Sequence, residues 1–195
     1  MSNLTTTSDE ILASAQKLII SGGYNGFSYA DIASVVGIRK ASIHHHFPSK
    51  VDLVRVLVAR YRQNAETGMT ELEKNVRDPV ELLQAYAGYW IKCIGDSSNP
   101  FCVCALLASE LPALPPEVAM EVRAYFRFLS VWLTSVLERG GEEGRLALSN
   151  SPDVEAEAFM ATVHGAMLSA RAYDQPEMFG VIIKPALQRF FAPAS

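Results

Sequence analysis

The sequence predicts an all-α protein of about nine helices, in which three short helices precede a larger helical bundle. Three observations support this fold class. Apolar residues recur at helical spacing along most of the 195 residues. Glycine and proline mostly fall between these periodic stretches, where they end or begin helices. No segment forms a convincing strand.

Each of the three short helices before residue 50 has a recognisable start or stop. Thr7 followed by Glu10 predicts a capping box at the first helix. Ser28 followed by Asp31 predicts the start of the second helix. The first two helices are predicted to end at Gly22-Gly23 and at Gly37, and the third to run from about Arg39 to His46, ahead of Pro48.

The other six helices are longer or more apolar. Because the pattern lengthens at the fourth helix, we place a domain boundary there, between residues 1–51 and 52–195. The predicted positions are Asp52 to Val76, a helix opening at Asp78-Pro79, Phe101 to Leu111, a stripe from Val118 to Val136, Pro152 to about Ala172, and a helix that opens at Pro176 and contains Pro185.

Composition indicates a folded protein whose N-terminal part alone is basic. The net charge is −4, but Met1 to Arg62 carries +3 and the remainder −7. A basic head on an acidic body is consistent with a polyanion as partner of the head, and chance clustering of the charges is the alternative interpretation. No signal peptide and no apolar stretch of membrane-spanning length is found, so we expect a cytoplasmic protein without a membrane partner.

The stretch from Ser28 to Lys50 predicts a helix-turn-helix. Ala33 is followed by Gly37 and then by Ile43. The small residue allows close helix approach, the glycine suits the turn, and the apolar residue packs the second helix on the first. Such a motif places its second helix in the major groove of DNA.

The same residues resemble a known family. The N-terminal domain of TetR-family regulators is similar to the stretch GYNGFSYADIASVVGIRKASIHHHFPSKVDL, with the resemblance covering about Ser8 to Leu57. The resemblance implies a homodimer on a near-palindromic operator of double-stranded DNA, and a repressor released by a small molecule. It implies a core of Phe27, Ile32, Ile43 and Phe47, and DNA contacts by Ser28, Arg39, Lys40, Ser42, His44, His45 and Lys50. His44 departs from the pattern, since the family usually has tyrosine there.

The three consecutive histidines do not predict a metal site. Adjacent helical residues point about 100° apart, so three in a row cannot converge on one ion. We expect His46 to lie near the core of the small domain. Neither a metal nor any other cofactor is predicted, and no catalytic motif such as GxSxG or HExxH supports the alternative of an enzyme. A protein-only adaptor is the other alternative, and the basic third helix argues against it.

By resemblance, the larger domain is a ligand-binding and dimerisation module. A small apolar or aromatic ligand would be contacted by large apolar side chains with a few polar groups. Ordinary core packing is the other interpretation for each of these residues. The candidates are Tyr86, Trp90, Cys102, Phe126, Leu129, Trp132, Met160, His164 and Met167. For Cys102 two interpretations stay open: a buried small apolar residue, which we favour, and a reactive thiol.

The eighth helix predicts the dimer interface. Its small residues fall on one narrow stripe, which lets another helix approach closely, either in a second subunit or within the same one. The stripe consists of Ala158, Ala161, Gly165, Ser169 and Ala172. The opposite face, with Ala156, Met160, Val163 and Met167, is expected to point inward.

Overall fold

A computed structural model describes residues 6–97 and 100–191, which form an all-α fold, as predicted. Among these residues the only β-type pairing is one isolated antiparallel bridge between Leu146 and Phe191. A short 3-10 turn covers Leu111–Ala113. Over residues 6–97 and 100–191 there are nine α-helices: α1 Thr7–Gly22, α2 Tyr29–Val36, α3 Lys40–His46, α4 Lys50–Asn75, α5 Pro79–Gly95, α6 Val103–Ser109, α7 Pro116–Glu142, α8 Pro152–Tyr173 and α9 Glu177–Gln188.

The chain divides into two compact units that do not follow chain order. Unit 1 contains the residues up to Asn64 together with Val103–Tyr125. Unit 2 contains Ala65–Cys102 and the residues from Phe126 onward. Unit 1 therefore includes α6 and the first part of α7 beside the three short N-terminal helices.

The first two helices both begin with a capping box, and the box predicted at α1 lies one residue earlier than predicted. Thr6, not Thr7, is the N-cap of α1, and its partner is Asp9, not Glu10. Both pairs have the required spacing, so the sequence alone does not choose between them. At α2 the predicted pair is confirmed: Ser28 and Asp31 cap each other reciprocally.

The cap of α1 makes folding stability depend on pH. Hydrogen bonds from the Thr6 hydroxyl and Thr6 N–H, with a further one from Arg60, lower the pKa of Asp9 from 3.8 to about 2. Because the folded pKa lies below the unfolded one, the contribution is complete above about pH 5 and is lost as the pH falls towards 2. We expect the difference in urea midpoint between the wild type and Asp9→Asn to shrink over this range. A difference that stays constant down to pH 2, or an equal effect of Glu10→Gln, would contradict this assignment.

The core of unit 1 includes buried residues from each of the first three helices. Ile11, Ala15 and Ile19 on one side of α1 are completely buried, as are Ile32 of α2 and Ile43 of α3. Phe27 and Phe47 are also buried, so the four core residues implied by the family resemblance are confirmed. This packing holds the exposed surface of α3 on a rigid base.

Unit 2 is organised around α8, whose buried residues recur every three to four positions. Ala156, Met160, Val163 and Met167 are buried, which confirms the predicted inward face. Glu155 beside them is a buried carboxylate. Its Oε1 accepts hydrogen bonds from the Ser149 and Asn150 N–H groups, at 3.2 and 3.0 Å. Oε1 also accepts one from Asn150 Nδ2, at 2.9 Å, so Glu155 holds the loop before α8.

Within residues 6–97 and 100–191, no helix combines the length and the apolar character needed to cross a lipid bilayer.

Candidate DNA-binding surface and ligand site

The turn between α2 and α3 has the geometry that the helix-turn-helix prediction requires. Gly37 ends α2 with φ 76° and ψ 29°, in the left-handed region. Its N–H donates to the Ala33 carbonyl at 2.9 Å. A Cβ at Gly37 would meet no atom within 4 Å, so backbone conformation rather than space favours glycine here.

The outer side of α3 presents polar and basic groups to solvent. Arg39, Lys40, His44 and His45 are exposed, and Ser42 is half-buried. The expectation for His46 is wrong, because it is exposed as well. Ile43 and Phe47, four residues apart, fill the inner side of this short helix.

Two contacts hold His44, and one of them determines which ring nitrogen remains available for a hydrogen bond to another molecule. Its Nδ1 lies 3.2 Å from the Pro48 carbonyl oxygen. Since a carbonyl only accepts, Nδ1 carries the proton and Nε2 is left for another partner. The His44 ring lies 4.7 Å from that of Tyr29, whose hydroxyl donates to the Phe47 carbonyl at 2.9 Å. Burial raises the pKa of Tyr29 to about 12, so this hydroxyl stays a donor.

Lys50 is anchored within unit 1. Its ammonium donates to the Phe27 carbonyl at 2.5 Å and lies 4.1 Å from the centre of the Phe27 ring. The Tyr24 ring is 5.0 Å away. Burial lowers the pKa of Lys50, against the opposing influence of Asp31 and Glu110. One of the three ammonium hydrogens is thus committed, and two are left for an external anion.

The turn after α1 receives its hydrogen-bond acceptor from a distant part of unit 1. Glu110 Oε2 accepts from the Tyr24 N–H at 2.7 Å. Gly23 has φ 76°, and a Cβ there would lie 1.9 Å from Glu110 Oε1. Sequence reasoning missed Glu110, because nothing in the sequence links two residues that are 86 positions apart.

Ser28 lies at the start of α2 with its hydroxyl in use. The Oγ accepts from the Ala30 N–H at 3.2 Å and donates to the Asp31 carboxylate at 2.8 Å. The predicted capping role is therefore present. Ser28 itself is exposed, so a contact to phosphate stays a prediction.

An aromatic cluster of Tyr86, Trp132, Phe159 and Phe190 forms the centre of unit 2. The Tyr86 ring lies 5.7 Å from that of Trp132 and 6.3 Å from that of Phe159. Phe159 in turn lies 5.6 Å from Phe190. The sequence identified the first two as candidates and missed the two phenylalanines, which resemble any other core residue in the pattern.

Several polar atoms of the predicted ligand residues are buried without a hydrogen bond of ordinary geometry to the described residues. They are the Tyr86 hydroxyl, Trp132 Nε1 and His164 Nε2. Burial raises the pKa of Tyr86, and the nearby Cys102 raises it further. The Trp90 indole lies close enough to oppose that shift slightly.

The other predicted ligand residues are mostly buried in unit 2. His164 packs against Phe126, with ring centres 5.2 Å apart, and both are half-buried. Cys102 is a completely buried cysteine that immediately precedes α6, not a residue in its first turn. Buried together with them are Trp90, Leu129, Met160 and Met167.

Comparison with known proteins identifies the family. The model of bacterial regulatory proteins of the tetR family matches residues 11–57. The model of the tetracyclin repressor-like C-terminal domain matches residues 79–184, more than half of the chain. This chain belongs to the TetR family. It is a DNA-binding transcriptional regulator.

Solved structures of TetR regulators share the fold of this protein over almost its full length. A TetR-family regulator from Agrobacterium tumefaciens is 64% identical, with TM-score 0.92, and the match covers 95% of this chain and 97% of that one. A TetR regulator from Legionella pneumophila is 28% identical, with TM-score 0.86, over 96% and 99% of the two chains. A curated relative, the transcriptional activator FasR from Mycolicibacterium smegmatis, is 23% identical over 58% of this chain, and the match spans about half (51%) of FasR.

In this TetR-family chain the predicted stripe on α8 lies on the surface. Ala158, Ala161, Gly165 and Ala172 are exposed, and Ser169 is half-buried. Two large apolar residues of the same helix are also exposed, Val154 by 50% and Leu168 by 60%. On α9, Val181 is exposed by 59%.

Proposed function

We propose that this regulator is a repressor that binds a near-palindromic operator as a homodimer and leaves it when a small, largely apolar molecule binds unit 2. The observation that carries the DNA-binding half is the polar outer side of α3 on a buried apolar inner side. Arg39, Lys40 and Ser42 begin this surface, while His44 and His45 continue it. Arginine and lysine supply the donors that contact guanine edges and phosphates.

His44 offers a contact whose polarity depends on its protonation. With Nδ1 committed to the Pro48 carbonyl, a neutral His44 presents Nε2 as an acceptor, which suits the amino group of adenine or cytosine. A cationic His44 presents a donor, which suits a phosphate. In this proposal Lys50 contributes its two remaining hydrogens to a phosphate and Ser28 supports the start of α2.

Dimerisation through α8 follows from its exposed apolar residues. Small side chains let a second helix approach closely, and Val154 and Leu168 would each remove apolar area from water. A two-fold dimer presents two copies of α3, which is the physical reason for expecting a near-palindromic site. The proposed interface consists of Ala158, Ala161, Gly165, Ser169 and Ala172.

Substitution Ala161→Arg is expected to make the protein monomeric, because it places a charged side chain in the middle of the proposed interface. Operator affinity should fall with it, since one half-site is then bound alone. Light scattering and fluorescence anisotropy measure the two effects. The matched control is Ser135→Arg, which also introduces an arginine but does so at an exposed position of α7. Ala161→Arg remaining dimeric would exclude this surface as the interface.

The ligand-response half rests on the aromatic cluster and on the buried polar atoms of Tyr86 and Trp132, which the described residues do not satisfy. FadR from Bacillus subtilis, which shares the fold at 18% identity, is solved with stearoyl-CoA, and this shows only that the fold admits a ligand in that protein. Here the ligand would contact Tyr86, Trp132 and their neighbours Trp90, Cys102, Phe126, Leu129, Met160, His164 and Met167.

To test the proposed function, an operator is first selected from random DNA with the full-length protein. The release of the protein from that operator by added small molecules is then measured. A near-palindromic consensus is expected. A ligand with a coupling of about 1–3 kcal/mol would lower operator affinity roughly 5- to 150-fold, and DNA would weaken ligand binding by the same factor. A reporter with the operator across its promoter distinguishes repression from activation. A consensus without symmetry, or expression that rises with the bound protein, would overturn the corresponding part.

A further inference from the structure

Two adjacent buried side chains in unit 2 carry hydrogen-bonding groups that the described residues do not satisfy. Tyr86 is 6% exposed and Trp132 is 7% exposed. Their rings are 5.7 Å apart, so the two side chains are neighbours in the aromatic cluster. A buried polar group without a partner costs free energy, and such groups in a native protein require an explanation.

The unsatisfied functions are both donors. An indole N–H can only donate. The Tyr86 hydroxyl carries a proton and can therefore donate as well. A ligand group that complements the pair must therefore accept hydrogen bonds.

The surrounding charges indicate that this acceptor is uncharged. A buried anion needs a buried cation beside it. In the part of unit 2 that the structure describes, the lysines and arginines are exposed except Arg139, which is half-buried. Arg139 lies 3.8 Å from Glu73, so its charge is already opposed. The buried carboxylate of Glu155 is occupied by its loop and would not balance a cationic ligand.

We propose that Tyr86 and Trp132 together bind an uncharged hydrogen-bond acceptor, such as a ketone, ester or amide carbonyl, carried by an aromatic or apolar ligand. This inference rests on the proposed ligand response of unit 2 and gives its ligand a chemical class. The carbonyl oxygen lies between the hydroxyl and the indole N–H, while the rest of the molecule packs against Phe159 and neighbouring apolar side chains.

The experiment uses full-length protein with ¹⁵N-labelled tryptophan indoles. The chain has two tryptophans, Trp90 and Trp132, so substitution Trp132→Phe assigns both signals. Four probes of similar size are titrated at pH 7: acetophenone, ethylbenzene, benzoate and phenyltrimethylammonium. Acetophenone is expected to move the Trp132 indole proton downfield and to bind about 10- to 100-fold more tightly than ethylbenzene, the difference that two hydrogen bonds supply.

Substitution Tyr86→Phe removes the hydroxyl and keeps the ring. It should lower acetophenone affinity about 3- to 10-fold and leave ethylbenzene affinity unchanged. Tyr89→Phe is the matched control, since Tyr89 is on the same helix and 54% exposed. It should change neither affinity.

The outcomes separate this inference from the proposed function. Tighter binding of benzoate or phenyltrimethylammonium than of acetophenone would overturn the uncharged acceptor, as would an unchanged acetophenone affinity in Tyr86→Phe. If ethylbenzene binds as well as acetophenone and also releases operator DNA, ligand response stands and the acceptor proposal fails. If no probe shifts the Trp132 indole signal, the pair is ordinary core packing and the proposal is wrong, while the operator assay decides the ligand response separately.

Discussion

Replacing Arg39 and Lys40 together by alanine is expected to abolish specific operator binding at physiological salt. Both side chains are exposed at the start of α3, where they can reach base edges and phosphates. Each good base contact contributes about 1–3 kcal/mol of discrimination. Each lost phosphate contact should also reduce the slope of log affinity against log salt by about 0.9. Fluorescence anisotropy over a series of salt concentrations measures both quantities.

The control variant also removes one lysine and one arginine, but at positions outside α3. Lys17 of α1 and Arg127 of α7 are exposed and lie outside α3. The double variant Lys17→Ala with Arg127→Ala should keep its preference for the operator over random DNA. An equal loss in this control would mean that net charge, not α3, determines binding. Unchanged operator affinity in the Arg39 and Lys40 variant would exclude α3 as the DNA-binding helix.

Substitution Glu155→Ala is expected to lower the free energy of unfolding by about 2–4 kcal/mol, because hydrogen bonds to a charged group contribute about 1.5–3 kcal/mol each and leaving donors unsatisfied adds a penalty. The carboxylate is 5% exposed and accepts from two backbone N–H groups and one side-chain amide. The loop before α8 would lose the acceptor that holds it. Urea unfolding followed by circular dichroism measures the change.

Glu157 provides the comparison for Glu155. It lies two residues further along α8, is exposed, and accepts a hydrogen bond from the Ser130 hydroxyl at 2.6 Å. Glu157→Ala should change the free energy of unfolding by less than about 1 kcal/mol, since such exposed contacts contribute little. Similar losses in the two variants would show that burial of the Glu155 carboxylate does not determine its contribution.

Local signals predicted most of the helices because the interactions that start and end them are local. Ser28 with Asp31 and Asp78 with Pro79 begin α2 and α5, as predicted, and each pair acts within three residues. The cap of α1 lies one residue before its predicted position. The sequence could not locate it because Thr6 with Asp9 and Thr7 with Glu10 have equal spacing. In the folded chain Asp9 also pairs with Arg60, a tertiary contact that the sequence does not reveal.

Contacts between distant residues were not predictable in the same way. The Glu110 carboxylate and the buried Glu155 carboxylate look like ordinary surface acids in the sequence. Their roles come from backbone N–H groups that the tertiary fold brings to them. The burial of Cys102 likewise follows from packing between distant residues. This burial agrees with the favoured interpretation of Cys102 as a small apolar side chain.

The distance along the chain between Tyr24 and Glu110 has a consequence for protein synthesis. A ribosome adds about 5–20 residues per second, so the 86 residues between them take roughly 4–17 s. During that interval the nascent N-terminal helices exist without the carboxylate that accepts from the turn after α1. The DNA-binding surface of a growing chain therefore reaches its final hydrogen bonding only after Glu110 has been translated, and a ribosome stalled earlier carries helices whose Tyr24 N–H lacks this acceptor.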